Sequence, residues 1–168
     1  EGLTNTNVQT MAISPFFSTD STIFLGTLGG GIFRSTDGAN SWQSASTGLP
    51  MMDVFHIAIS PDYINDKTLY GVGWGGVLLR STNGGDSWHK FNSALLKKAV
   101  RTVVVSPNFT EDKTIFAGTL GNGVLRSQDG GETWVDSSQG LEQPTILNLV
   151  ISPNFRIDST LFAGTQGG

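Results

Sequence analysis

Few side chains in this chain are suited to chemistry, and their surroundings decide how much each could do. Trp74 lies in the run Gly71-Val72-Gly73-Trp74-Gly75-Gly76, where a large ring among glycines could stack on a sugar ring or anchor a partner, or simply make a packing or oligomer contact. His56, one of two histidines, is a residue type suited to proton transfer. No carboxylate or nucleophile is predictably placed beside it, so it reads as a hydrogen-bonded structural imidazole. Asp53 has no identifiable acidic partner, whereas glycoside hydrolysis needs two opposed carboxylates about 5 to 10 Å apart. Lys97, Lys98 and Arg101 form a small basic cluster whose plain reading is a solvated edge. Phosphate-binding loops, the His-Glu-x-x-His zinc pattern and a Ser-His-Asp spacing are missing. No cofactor or metal is expected, and the residues favour a binder over an enzyme.

Composition narrows the class further. The 168 residues are 38% apolar and 14% charged, with 22 Gly and no Cys, which excludes disulfides and cysteine-based metal sites. No apolar run approaches the ~20 residues of a membrane-spanning helix. A net charge of −4 without a basic stripe gives no support to nucleic-acid binding. Glu1-Gly2-Leu3 lacks the features of a signal peptide and reads as the middle of a processed or partial chain.

The elements that position these residues come from a repeat. Ser-Pro recurs at Ser14, Ser60, Ser106 and Ser152, tryptophan at Trp42, Trp88 and Trp134, and aspartate at Asp20, Asp66, Asp112 and Asp158, always 46 residues apart. The repeats run 2–47, 48–93, 94–139 and 140–168, the last incomplete. Within each, Gly and Pro separate short runs rich in β-branched and aromatic residues, which predicts strands, here lettered A to D. Strand A is expected at 8–14, 54–60, 100–106 and 146–152, and strand B at 21–26, 67–72, 113–118 and 159–164. Strand C covers 31–35 and its copies, and strand D runs about five residues from each tryptophan. No segment shows a helical period. Four antiparallel strands in each 46-residue unit predict an all-β fold, a β-propeller of four-stranded blades with about 3.5 blades present.

One segment of the repeat is more specific. Ser35-Thr36-Asp37-Gly38-Ala39-Asn40-Ser41-Trp42, Ser81-Thr82-Asn83-Gly84-Gly85-Asp86-Ser87-Trp88 and Ser127-Gln128-Asp129-Gly130-Gly131-Glu132-Thr133-Trp134 resemble the Asp-box, or bacterial neuraminidase repeat. The first copy has Ala39 where a second Gly is expected, and the second has Asn83 for Asp. The physical reading agrees: an Asp in the C–D turn accepts from turn amides, Gly supplies positive φ, and the tryptophan packs beside the neighbouring blade. These residues, like the aspartates of the A–B turns, read as structural.

The resemblance implies a scaffold shared by sialidases, xyloglucan hydrolases, sortilin-type receptors and photosystem assembly factors, and an extracytoplasmic setting. It also places the active site of such glycosidases on the face of the B–C turns and D–A connections. There the matched residues differ between repeats: Leu28, Trp74, Leu120 and Gln166; Gln9, Phe55, Arg101 and Leu147; Thr10, His56, Thr102 and Asn148. Ligand-binding candidates are therefore Trp74, Phe55, His56, Asp53, Arg101, Lys97 and Lys98. A sialidase resembling the family would need an arginine triad and a Tyr nucleophile. Arg34, Arg80 and Arg126 are instead one-per-repeat residues, and Tyr63 and Tyr70 fall in an A–B turn and a strand B. The B–C positions carry no acid where xyloglucan hydrolases place one.

The expected function is a binding or assembly scaffold for a glycan or protein. The alternatives are a fragment of a glycoside hydrolase whose catalytic residues lie elsewhere and a purely structural surface protein. Fourteen strands stand where four blades need sixteen. The reading therefore expects the remaining blades from a longer chain or a homo-oligomer.

Overall fold

Each repeat opens on a β-branched run that stops at a proline-containing turn or its equivalent, since proline offers no amide to continue a ladder. The computed structural model describes residues 1–91 and 99–167. The first repeat forms β1 (Val8–Ile13), α1 (Phe17–Asp20), β2 (Ile23–Thr27), β3 (Gly31–Ser35) and β4 (Gln43–Ser44). The second forms β5 (Val54–Ile59), α2 (Tyr63–Asp66), β6 (Leu69–Gly73), β7 (Val77–Ser81) and β8 (His89–Lys90), with a tight turn at Trp74–Gly76. The third forms β9 (Val100–Val105), α3 (Phe109–Asp112), β10 (Ile115–Thr119), β11 (Val124–Ser127) and β12 (Val135–Asp136). The fourth has β13 (Ile146–Ile151), α4 (Phe155–Asp158) and β14 (Leu161–Thr165).

Neighbours in sequence are neighbours in each sheet: β1-β2-β3-β4, β5-β6-β7-β8, β9-β10-β11-β12 and the pair β13-β14. Two expectations need correction. Strand D is two residues long rather than about five and begins after the tryptophan, whose ring is used for packing. Each A–B connection also contains one four-residue helical turn. A single turn is too short to register as a period, which takes a window of about 11 to 18 residues to read.

That turn is closed by the repeat's own polar residues. Ser14 Oγ donates to Asp20 Oδ2 at 2.6 Å, and Asp20 Oδ1 accepts the Thr22 amide at 2.9 Å. The same serine, aspartate and threonine recur as Ser60, Asp66 and Thr68, as Ser106, Asp112 and Thr114, and as Ser152, Asp158 and Thr160. Each aspartate thus fastens the end of strand A to the start of strand B, as turn chemistry requires.

The tryptophan-bearing turns close in the same local way. Ser35 Oγ donates to Asp37 Oδ1 at 2.8 Å, and that oxygen accepts the Ser41 amide at 2.9 Å. Asp129 repeats this with Ser127 and Thr133. Asn83 keeps the acceptor, taking Ser81 Oγ at 2.8 Å and the Ser87 amide at 3.0 Å, so the turn survives without the charge. Both charged carboxyls are held down to about 2, first by the hydroxyls of Ser41 and Thr133 and next by the amides of those residues.

The chain divides into two compact units, Glu1–Trp74 with Leu78–Lys90 and Gly75–Val77 with Phe91–Gly168. In the first, Phe24 meets Tyr63 edge to face at 6.0 Å, and Trp88, 1% exposed, donates its Nε1 proton to Ala45 O at 2.8 Å. Arg34 reaches from β3 to Gly84 O at 2.8 Å and Asp86 Oδ1 at 2.7 Å. In the second unit Phe116 meets Phe155 edge to face at 5.5 Å, within a core that also holds Val124, Ile146 and Leu149. Within each unit, then, one sheet packs face to face on the next through aromatic residues spaced by the repeat.

Candidate functional site

Backbone bonding sorts the connections onto two ends of each sheet. Gly38, Gly84 and Gly130 donate to Ser21, Lys67 and Lys113, joining the C–D turns to the A–B turns. Leu28 donates to Asn7 O, Gly31 to Met52 O and Trp74 to Asp53 O, joining the B–C turns to the D–A connections. The variable residues singled out by the repeat comparison belong to this second end.

Phe55 owes its placement to a bulge. The β5–β6 register passes from Val54↔Gly73 to His56↔Val72, leaving Phe55 as the extra residue. Gln9, Arg101 and Leu147 are the extra residues of their own strands. A bulge re-aims the extra side chain, and this position differs among repeats while the one before it stays β-branched as Val8, Val54, Val100 and Ile146. The Phe55 ring stands 6.1 Å from that of Trp74, their planes inclined by 43°.

Trp74 itself is 65% exposed. Its turn is built on Gly75 and Gly76 at φ 72° and 73°, and a Cβ on Gly76 would lie 2.4 Å from the Ala99 Cα, so only glycine fits there. Asp53 is a structural link. Its carbonyl accepts the Trp74 amide at 3.0 Å and its Oδ1 accepts the Gly29 amide at 2.7 Å, fastening two successive B–C turns to one residue. His56 is half-buried opposite Val72.

The structure therefore brings Trp74, Phe55 and Asp53 together on the first unit, with His56 next along β5. Arg101 is exposed on β9 of the second unit. Lys97 and Lys98 lie outside the described residues. Met52, 44% exposed, also belongs to this end, since its carbonyl holds the first B–C turn through Gly31. Its signal was present: Met51-Met52-Asp53 stands where the first repeat has Asn5-Thr6-Asn7. Among the described residues no three His, Asp or Glu side chains lie together as a metal site would require, and no helix is long and apolar enough to cross a membrane.

No protein-family model matches the chain, and none of the curated proteins compared with it does. Solved structures do. The GH74 enzyme of Niastella koreensis superposes with a TM-score of 0.70 at 20% identity over 98% of this chain and 27% of its own. An ancestral GH74 enzyme gives 0.65 at 25% identity over 89% and 21%, and YCF48 bound to D1 peptide gives 0.64 at 18% over 91% and 48%. The chain thus spans between about a fifth and a half of the proteins it is similar to. With the antiparallel four-stranded sheets and their turn chemistry, these likenesses establish that the chain is built of β-propeller blades, about 3.5 of them in 168 residues.

Proposed function

We propose that this chain is a non-catalytic Asp-box propeller segment, its repeats 2–47, 48–93, 94–139 and 140–168 forming one scaffold, and that it binds a glycan at Trp74. The observation that carries the reading is an indole left 65% exposed on a turn locked by two positive-φ glycines. A ring of this size buries about 150–250 Å² when covered, a large gain for a partner that lies flat on it. Phe55 backs the ring, and Asp53 fixes the turn that presents it. His56 stands at the edge of this surface as a polar contact. On β9 of the second unit Arg101 would offer a cation to an acidic group of a partner, and Lys97 and Lys98 are near it in sequence. The Asp-box resemblance supports an extracytoplasmic setting.

A hydrolase reading draws on the likeness to GH74 enzymes. Leu28, Trp74, Leu120 and Gln166 offer no acid at the B–C positions, so such a role would rest on residues outside this chain. A protein partner draws on the likeness to YCF48 bound to D1 peptide.

Titration with xyloglucan oligosaccharides by calorimetry tests the proposal. Saturable binding is expected, weakened about tenfold or more in Trp74→Ala and partly restored in Trp74→Phe. The thermal midpoint should stay unchanged, because an exposed side chain contributes within about 0.5 kcal/mol to stability. Release of reducing ends by the chain would overturn the non-catalytic assignment. Equal affinity in Trp74→Ala would remove Trp74 from the site.

A further inference from the structure

In the first, second and fourth repeats, the residue three places before strand A touches the B–C turn of its own repeat. The third-repeat counterpart, Lys97, lies outside the described residues. Asn5 donates from Nδ2 to Leu28 O at 2.9 Å. Gln143 stands against the turn at Gly167, where a Cβ would lie 3.8 Å from its Cδ. Met51 makes the contact through sulfur. A Cβ on Gly73 would lie 2.8 Å from its Sδ and 3.1 Å from its Cγ, so the thioether rests on the last residue of β6, immediately before Trp74. The repeat that alone carries an aromatic residue at the B–C position thus holds its turn with an oxidisable atom.

The surroundings of that sulfur make the contact sensitive. Asp53 O lies 3.1 Å from the same Cβ position on Gly73, so the thioether and the carbonyl crowd one flank of this glycine. That carbonyl is the acceptor of the Trp74 amide. A thioether packs there as a soft apolar group, whereas a sulfoxide is polar and larger by one oxygen. The amides of Gly29, Gly31 and Trp74 are already committed to Asp53 Oδ1, Met52 O and Asp53 O. An added oxygen therefore has to compete for one of them or displace the Asp53 carbonyl. Met51 is half-buried, open to a small oxidant but without free solvent on every side. Met52, 44% exposed, and Met11, 60% exposed, have water to receive an added oxygen.

We propose that Met51 is a modification site at which oxidation by hydrogen peroxide releases the Trp74 turn. A sulfur lone pair attacks one peroxide oxygen, the O–O bond breaks as the S–O bond forms, and the departing hydroxide takes up the remaining proton as water. Sulfur loses two electrons and the peroxide gains them. The sulfoxide then loosens the hold of Asp53 on the Trp74 amide, and its reduction restores that hold. The consequence for ligand capture rests on the glycan reading of Trp74, whereas the release of the turn does not.

The test is hydrogen exchange of the Trp74 amide in the full 168-residue protein before and after dilute hydrogen peroxide, with peptide mass mapping to locate each added oxygen. Exchange is expected to quicken about tenfold or more once Met51 carries oxygen, because loss of a local contact lowers protection. Methionine sulfoxide reductase should reverse it. Met51→Leu should keep exchange slow and abolish the response to peroxide, while Met52→Leu should retain it. Unchanged exchange with Met51 oxidised overturns the proposal, as does a response that survives in Met51→Leu. A Met51 left unmodified when Met11 is fully oxidised overturns it too. Titration with xyloglucan oligosaccharides should show weaker binding by the oxidised protein. Failure of the unoxidised protein to bind them overturns the glycan reading, and exchange at Trp74 still decides this proposal.

Discussion

β10 and β14 are nearly the same strand in two settings. Ile115-Phe116-Ala117-Gly118-Thr119 is buried at every residue, whereas Leu161-Phe162-Ala163-Gly164-Thr165 alternates between half-buried and exposed. Phe116 is 4% exposed and Phe162 64%. Composition and pattern cannot account for this, because they are shared. β10 has β9 on one side and β11 on the other, while β14 has β13 alone. The first strands of two sheets differ likewise through stacking: Met11 is 60% exposed on β1, while its counterpart Ile57 on β5, which packs against β1 and β2, is 4% exposed. A propeller strand is hydrophobic on both faces in anticipation of neighbours, and its burial is a property of the stack of sheets.

The largest effect that could break this comparison is aromatic truncation. Phe116→Ala should cost about 3–5 kcal/mol in urea unfolding, while Phe162→Ala should stay within about 1 kcal/mol. Equal losses would mean that the exposed strand is buried in solution. The next test concerns the tryptophan-bearing turns. Gly85 and Gly131 sit at φ 89° and 103°, and a Cβ would come 2.8 Å from Phe24 and 2.6 Å from Phe91 respectively. Gly85→Ala should therefore cost at least about 2 kcal/mol, the sum of left-handed backbone strain and a clash. Ala39 holds the same position at φ 75°, where the strain alone remains. Ala39→Gly should be a net gain of about 0.5 kcal/mol, strain relief less the added freedom of the unfolded chain.

The smallest effect concerns turns that close on themselves and so should not distinguish the two settings. The carboxyls of Asp37 and Asp129 are held down to about 2 by Ser41 and Thr133, from an ordinary value near 3.8. Asp158, whose hydroxyl and amide donors are Ser152 and Thr160, is also lowered. The folded form binds protons less readily than the unfolded one. Their contribution is accordingly full above about pH 4 and lost as pH falls toward 2. Asp129→Asn should flatten that acid limb of the stability profile without disrupting the turn, as Asn83 already demonstrates. An unchanged limb would show that these exposed carboxyls are screened by solvent.

Sequence alone determined the parts of this protein that close locally. The 46-residue period was legible because the same residues recur at it, and the aspartate-centred turns because each is made by residues within a few positions of one another. So was the variable end of the blades, since a scaffold repeats its residues and Leu28, Trp74, Leu120 and Gln166 do not repeat. Only the tertiary structure revealed that Phe55 is a bulge residue beside Trp74, that Asp53 fastens the Gly29 turn, and that Arg34 and Trp88 lock one sheet to the next. Those contacts join residues about 20 to 50 positions apart and depend on the register and stacking of whole sheets, which no local pattern encodes.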